Sequence, residues 1–148
     1  MPKQKIMIAY DDSEHSRRAL EWAVQLGRRL GSPLEIVQVL PTISYFQLHE
    51  NDSLRMNRHS ENKHKNLKER LSEKLQQTAK QYTTPDFIID TKVLDGAVAE
   101  SLLAYSQETE ACLLVTGTRG AGGFRGLLLG SVAHELVTYA KIPVVVIK

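Results

Sequence analysis

Six of the chain's nine glycines fall between Gly117 and Ser131, in the stretch GTRGAGGFRGLLLGS. An apolar run, Cys112-Leu113-Leu114-Val115, precedes the stretch. A helical pattern at Val132, Ala133, Leu136, Val137 and Ala140 follows it. Glycine has no Cβ, takes φ > 0 readily and lets backbone amides come close to a ligand. A strand, a glycine loop and a helix N-terminus, in that order, present free N–H groups to an anion. Ser131 adds a hydroxyl where the helix begins. The chemistry indicated is phosphate binding. Arg119 and Arg125 either pair with phosphate oxygens or stand as solvated loop charges.

Two common phosphate loops do not fit. The pattern G-x-x-x-x-G-K-[ST] needs a lysine, and none lies between Lys92 and Lys141. The dinucleotide pattern G-x-G-x-x-G follows a first strand, whereas this loop lies near the C-terminus. The spacing present is G-x-x-G, nine residues, then G-S, at Gly117, Gly120, Gly130 and Ser131. No Ser–His–Asp or paired-carboxylate arrangement stands out. Among the histidines only His59 and His64 share an element, a basic helix, and His15 and His134 lie nearer the loop in the pattern of elements. Asp11 is the acid placed to ligate Mg²⁺, which needs few protein carboxylates beside phosphate oxygens.

The elements that must position these residues alternate between strand and helix. Ile6-Met7-Ile8-Ala9-Tyr10 is a continuous apolar run, as in a strand buried on both faces. Asp11-Asp12-Ser13 offers capping chemistry, and Ala19, Leu20, Ala23, Leu26 and Leu30 recur at helical spacing until Gly31-Ser32-Pro33. Leu34–Leu40 reads as the second strand. Residues 41 to about 57 read as a loop. A long helix then carries Leu67, Leu71, Leu75 and Ala79 on one stripe and closes before Thr84-Pro85. Phe87–Val93 reads as a third, half-polar strand near an edge. Asp95-Gly96 starts a helix with Val98, Ala99, Leu102 and Leu103 inward. The Cys112–Val115 strand, the glycine loop, a last helix and a closing strand, Ile142 to Ile147, complete the chain. The pattern predicts one α/β domain over residues 1–148, with a mainly parallel sheet between two helical layers. In such folds ligands bind beyond the C-terminal strand ends, where Asp11, Val39-Leu40 and Gly117 all fall.

Length and charge bound the partners. A chain of 148 residues can build a real core, and a formal net charge of +2 is too small to indicate nucleic acid or an anionic membrane. The single cysteine, Cys112, excludes a disulfide framework and fits a reducing cytoplasm. The short apolar run after the charged N-terminus predicts neither signal peptide nor membrane span.

Two separated motifs resemble the universal stress protein family. Ile6-Met7-Ile8-Ala9-Tyr10-Asp11-Asp12-Ser13-Glu14 is similar to its opening pattern of apolar residues followed by D-G-S-E. GTRGAGGFRGLLLGSVAHELV…IPVVVIK is similar to its nucleotide-binding signature, G-x2-G-x9-G-[ST], with the helix and closing strand that follow. The resemblance covers nearly the whole chain. It implies a doubly wound five-stranded sheet of order 3-2-1-4-5, a homodimer, and ATP binding. At the edge of a sheet of that order, the four β-branched residues Val144-Val145-Val146-Ile147 either pair with a second copy, making the C-terminal strand the dimer interface, or are covered by the chain's own helices in a monomer. Asp11 and the backbone near Val39 would hold the adenine and ribose, Gly117 would lie against the ribose, and Gly120, Gly130, Ser131 and the Val132 amide would hold phosphates. The resident ligand would be ATP, ADP or AMP, with Mg²⁺ accompanying it. Asp12 stands where the family usually has glycine. Its carboxylate either faces the crevice, repelling a polyphosphate unless a cation or Arg119 intervenes, or caps the first helix and points to solvent. The expected function is a nucleotide-binding stress-response regulatory module acting through a partner or dimer surface. The alternative is a slow ATPase or other nucleotide-dependent enzyme. Residues 41 to 66, with Arg55, Arg58, Lys63 and Lys65, are expected to cover the crevice or to form a solvated helix start.

Overall fold

The computed structural model describes residues 4–42, 56–119 and 129–148. Strand β1, Ile6–Ala9, lies at the centre of a five-stranded sheet. Its side chains alternate between two cores. Ile6, Ile8 and Tyr10 join Leu20, Ala23, Leu34, Ile36 and Leu75 on one face. Met7 and Ala9 join Val37, Val39, Leu102, Leu114 and Leu136 on the other. This double burial is why β1 reads as an unbroken apolar run. The Tyr10 N–H still donates to the Val37 carbonyl at 2.9 Å, one step past the strand's last residue.

Helix α1, Glu14–Leu30, begins where the Ser13 hydroxyl accepts the Ser16 N–H, and it buries Ala19, Leu20, Ala23 and Val24 against the sheet. Strand β2, Leu34–Leu40, pairs in parallel with β1, Ile6 opposite Leu34 and Ala9 opposite Val37. Helix α2, Met56–Lys80, follows. Its stripe is shorter than the spacing predicts: Leu75 and Ala79 are buried and Leu71 packs against them, but Leu67 is 46% exposed. A helix of 25 residues spans about 37 Å. A strand of seven, like the edge strand β3 beneath it, spans about 23 Å. The helix therefore overhangs the sheet.

Strand β3, Ile89–Asp95, lies at the sheet edge beside β2, as its half-polar sequence implies. It starts and ends two residues later than expected. Phe87 instead closes a tight bridge with Thr84, with mutual backbone bonds of 2.9 and 3.0 Å, and packs close to Gly27 of α1. Pairing along all of β2, from Leu34–Ile89 to Leu40–Asp95, carries the strand on to Asp95. Helix α3, Val98–Glu108, then starts without a side-chain cap, because Ala97 is its N-cap residue. Strand β4, Leu113–Gly117, returns to pair with β1 on its other side. Helix α4, Ser131–Tyr139, buries Ala133 and Leu136, while Val137 of the same helical pattern is 49% exposed. Strand β5, Val144–Ile147, pairs with β4 and forms the second edge.

The resulting order is β3-β2-β1-β4-β5, with every pair parallel. Helices α1 and α2 cover one face, and α3 and α4 cover the other. The order reverses between β1 and β4. Such a switch point leaves a crevice beyond the C-terminal strand ends, where crossovers depart to opposite faces.

Candidate functional site

The crevice is built first by the turn after β1. Asp11 is exposed there, and its Oδ1 accepts the Ser13 N–H at 3.0 Å. The Asp11 N–H is directed to the Ser16 hydroxyl at 3.3 Å, and that hydroxyl in turn donates to the Ser13 carbonyl at 3.0 Å. The carboxylate is thus held by the first turn of the helix it precedes. Between Asp11 and Ser13, Asp12 adopts φ 66°, the left-handed region that aspartate tolerates better than most residues.

Asp12 does not cap the first helix, and cations do stand beside its carboxylate, though Arg119 is not among those bonded to it. Ser13 is the helix cap. The Asp12 carboxylate accepts from the Tyr10 hydroxyl at 2.9 Å, from Arg17 at 2.9 and 3.1 Å, and from Lys74 of α2. The Lys74 ammonium holds its carboxyl down at about 2 against the opposing effect of burial, with Arg17 and Tyr10 assisting. Its charge is therefore compensated within the protein. Burial and the neighbouring Asp12 carboxylate push the Tyr10 hydroxyl up.

The end of β4 supplies the second wall. Gly117 is buried, and a Cβ there would stand 2.7 Å from the His15 carbonyl carbon and 2.8 Å from its Cβ and oxygen. Glycine at this position lets α1 press its first turn against the strand end. Thr118 follows, also buried. Its hydroxyl meets His15 Nδ1 at 3.1 Å, and its N–H donates to the Ile147 carbonyl at 3.0 Å. The Thr118 carbonyl accepts the Gly130 N–H at 2.6 Å. One residue thus ties the loop's two ends together, joins them to α1 and anchors them to β5. Arg119 is half-buried at the loop's start.

At the loop's far end Gly130 is the N-cap residue of α4, with no side-chain cap. Its carbonyl accepts the His134 N–H at 3.0 Å. The first amides of an α-helix have no intrahelical acceptor, so those of Ser131 and Val132 are donors aimed out of the helix start. Ser131 is exposed, and Val132 packs partly against the second core. Val39 is buried one residue before the end of β2, opposite Leu94 of β3.

The fold thus brings Asp11, Val39, Gly117, Arg119, Gly130, Ser131 and Val132 to the C-terminal end of the sheet. Gly120 and half of the expected cover, residues 43–55, lie outside the described residues. Sequence reasoning missed Thr118, which occupies a variable position of the glycine motif. It also missed Lys74, which stands 62 residues from Asp12 and carries no local signal. Among the described residues no group of three or more His, Cys, Asp or Glu side chains could enclose a metal ion, and no helix is long and apolar enough to cross a membrane. A cleft of about 430 Å³ at the opposite end of the sheet, lined by Arg28, Pro33, Thr84, Phe87 and Ile88 among others, gathers none of the predicted residues.

Comparison with known proteins gives a consistent pattern. The sequence model of the universal stress protein family matches residues 3–148. The chain is 28% identical to universal stress protein YxiE of Bacillus subtilis, over 97% of this chain and 98% of that protein. It is also 28% identical to universal stress protein MJ0531 of Methanocaldococcus jannaschii, over 98% of this chain and 82% of that protein. Among solved structures, UspA from Lactobacillus plantarum superposes with a TM-score of 0.81 at 19% identity, covering 98% of this chain and 97% of that one. A universal stress protein from Archaeoglobus fulgidus in complex with dAMP matches with a TM-score of 0.66 at 20% identity, all of both chains being covered. A universal stress protein in complex with cAMP matches with a TM-score of 0.61 at 25% identity, over 98% of this chain and 96% of that one.

Proposed function

Because the chain belongs to the universal stress protein family, we propose that it is an adenine-nucleotide-binding regulatory module of the stress response, with its site in the β1–β4 crevice. The observation that carries this reading is the closure of the glycine loop: the Gly130 N–H bonds the Thr118 carbonyl, leaving the α4 N-terminus at the switch point. Backbone amides at a helix start form an anion site without any lysine. The dAMP and cAMP complexes of structural neighbours support an adenine nucleotide as the anion's carrier. ATP, ADP and AMP all fit the reading. Asp11 and the backbone near Val39 take the adenine and ribose. Gly117 lies against the ribose, and Gly120, Gly130, Ser131, Val132 and Arg119 take the phosphates. Mg²⁺ bound by phosphate oxygens would use Asp11 as its protein ligand.

Gly130 provides the direct test. Its φ of −68° and ψ of 165° are open to any residue, so Gly130→Val should fold. Its side chain would occupy space where phosphate and backbone must meet. Calorimetry should show ATP affinity lost with the thermal midpoint kept; unchanged affinity would remove the loop from the site. Mass spectrometry of small molecules released on denaturation identifies the resident nucleotide. Phosphate release from ATP separates a module from a slow ATPase.

The regulatory surface we propose is a homodimer through β5. This edge strand carries Val144-Val145-Val146-Ile147, and its residues are only half-buried in the single chain. Such an edge offers unpaired backbone groups beside apolar side chains, and two copies paired about a two-fold axis satisfy both. Light scattering should give twice the chain mass for the wild type and a folded monomer for Val145→Pro.

A further inference from the structure

We propose that Asp12 is a positioning residue for the crevice, its carboxylate clamping α2 to the turn after β1 and thereby fixing the orientation in which Asp11 meets a ligand. Three elements converge on this one side chain. Tyr10 follows the last residue of the central strand, Arg17 stands in the first turns of α1, and Lys74 reaches across from α2. The Asp12 side chain is 29% exposed, but Arg17 and Lys74 are 59% and 64% exposed, so solvent screens the attraction and the link rests on its geometry. A network of several charges on one acceptor holds its geometry better than an isolated pair.

The turn itself does not require the acid. Glycine adopts the left-handed conformation at φ 66° without strain, and glycine is what the D-G-S-E opening pattern has at this position. Aspartate holds the same backbone at some conformational expense and adds what glycine cannot: a link to a helix 62 residues away. Asp12 lies between Asp11 and Ser13, and the Asp11 carboxylate takes its direction from the Ser13 N–H. The link therefore acts on the frame that aims Asp11. A second clamp works in the same sense farther along α2. At the end of β3, Asp95 accepts from His64 at 2.6 Å and from Lys68. Helix α2 is thus gripped at two strand ends, beside the crevice at Asp12 and at the sheet edge at Asp95.

The nucleotide part of this inference rests on the proposed function, while the clamp stands on its own geometry, so two measurements keep them apart. Asp12→Asn keeps a residue that tolerates the left-handed region and removes the charge; Asp12→Gly removes the side chain and relaxes the backbone; Lys74→Gln removes the partner. In ligand-free protein, amide exchange over residues 11–17 and 71–80 should rise about tenfold in each variant, with the amides of β1 and β4 unchanged. The double variant Asp12→Asn/Lys74→Gln should add little to either single change.

Calorimetry with ATP and with AMP should show affinity falling about fivefold for both nucleotides in Asp12→Asn. The sign is diagnostic. Were Asp12 merely repelling phosphates, its neutralisation would tighten binding, and ATP more than AMP. Exchange at the wild-type rate in all three variants overturns the clamp. Unchanged or tighter ATP binding in Asp12→Asn overturns the positioning role. A wild type that binds neither nucleotide removes the functional reading, and the exchange measurement alone then decides the clamp.

Discussion

The turns that follow β1 and β3 begin from the same need and meet it differently. Each must leave a parallel strand, reverse over the sheet and start a helix, and each contains a residue with positive φ, Asp12 at 66° and Gly96 at 133°. Each also sends a carboxylate to the cations of α2. After β1 the helix has a side-chain cap at Ser13, and the neighbouring Asp11 is tied into the same turn. After β3 the helix starts at Ala97, which has no side chain to cap it, and the Asp95 carboxylate goes to His64 and Lys68. The Gly96 N–H is satisfied by the Leu40 carbonyl at 3.1 Å, which makes this turn part of the sheet edge. A helix start can be built for order or for reach. The β1 turn has a cap that orders it and an exposed acid that faces outward.

The contrast breaks most sharply at Gly96. Its φ lies where side chains are strained, and a Cβ would approach Ser101 Oγ to 2.8 Å. Gly96→Val should lower stability by about 2–3 kcal/mol, read from urea unfolding. At Asp12 the substitution to glycine should leave the backbone unstrained. Comparable losses at both positions would show that backbone conformation is not what separates the turns.

The caps offer a reciprocal pair. Ser13→Ala should cost about 1 kcal/mol, since it removes the acceptor of the Ser16 N–H. Ala97→Ser, at φ −70° and ψ 132°, already has cap geometry and should gain about 0.5 kcal/mol. Thermal midpoints moving in opposite directions would confirm that the two turns differ in capping. A neutral Ala97→Ser would place the difference elsewhere.

Acid gives the smallest effect and the finest comparison. Asp12 is lowered from an ordinary 3.8 to about 2, chiefly by Lys74. Asp95 is also lowered: burial opposes its ionisation, but the bonds from Lys68 and His64 and their charges outweigh it. A carboxyl depressed in the folded state contributes stability above its unfolded value and loses it as pH falls through the folded one. For Asp12 that loss falls between about pH 4 and pH 2, and after allowance for solvent screening it amounts to about 1 kcal/mol or less. Urea unfolding at pH 5 and pH 2.5 should show a smaller acid loss in Asp12→Asn than in wild type.

Much of this was legible in the sequence because it is local. The run at residues 6–10 required a strand buried on both faces, and the alternation of strand and helix required a parallel sheet. The half-polar run at residues 87–93 belonged near an edge, and the glycine spacing marked the loop before α4. Each signal lies within one element, where a period of two or 3.6 or a turn residue has a direct physical meaning. Where local pattern and structure part, the cause is tertiary. Phe87 has the type and spacing of a strand residue, yet it closes a bridge with Thr84 beneath α1. Leu67 falls on the apolar stripe, yet a helix longer than the strands beneath it leaves that residue exposed. Gly117 carried a motif signal, but its packing against the His15 backbone emerges only when α1 crosses β4. Above all, the partner of Asp12 stands 62 residues away on a separate helix. Charge alone could not choose Lys74 from among the chain's many lysines and arginines. Short-range order is written in residue type and spacing. Which distant side chain neutralises which charge is decided by the packing of helices on the sheet, through contacts that no local period encodes.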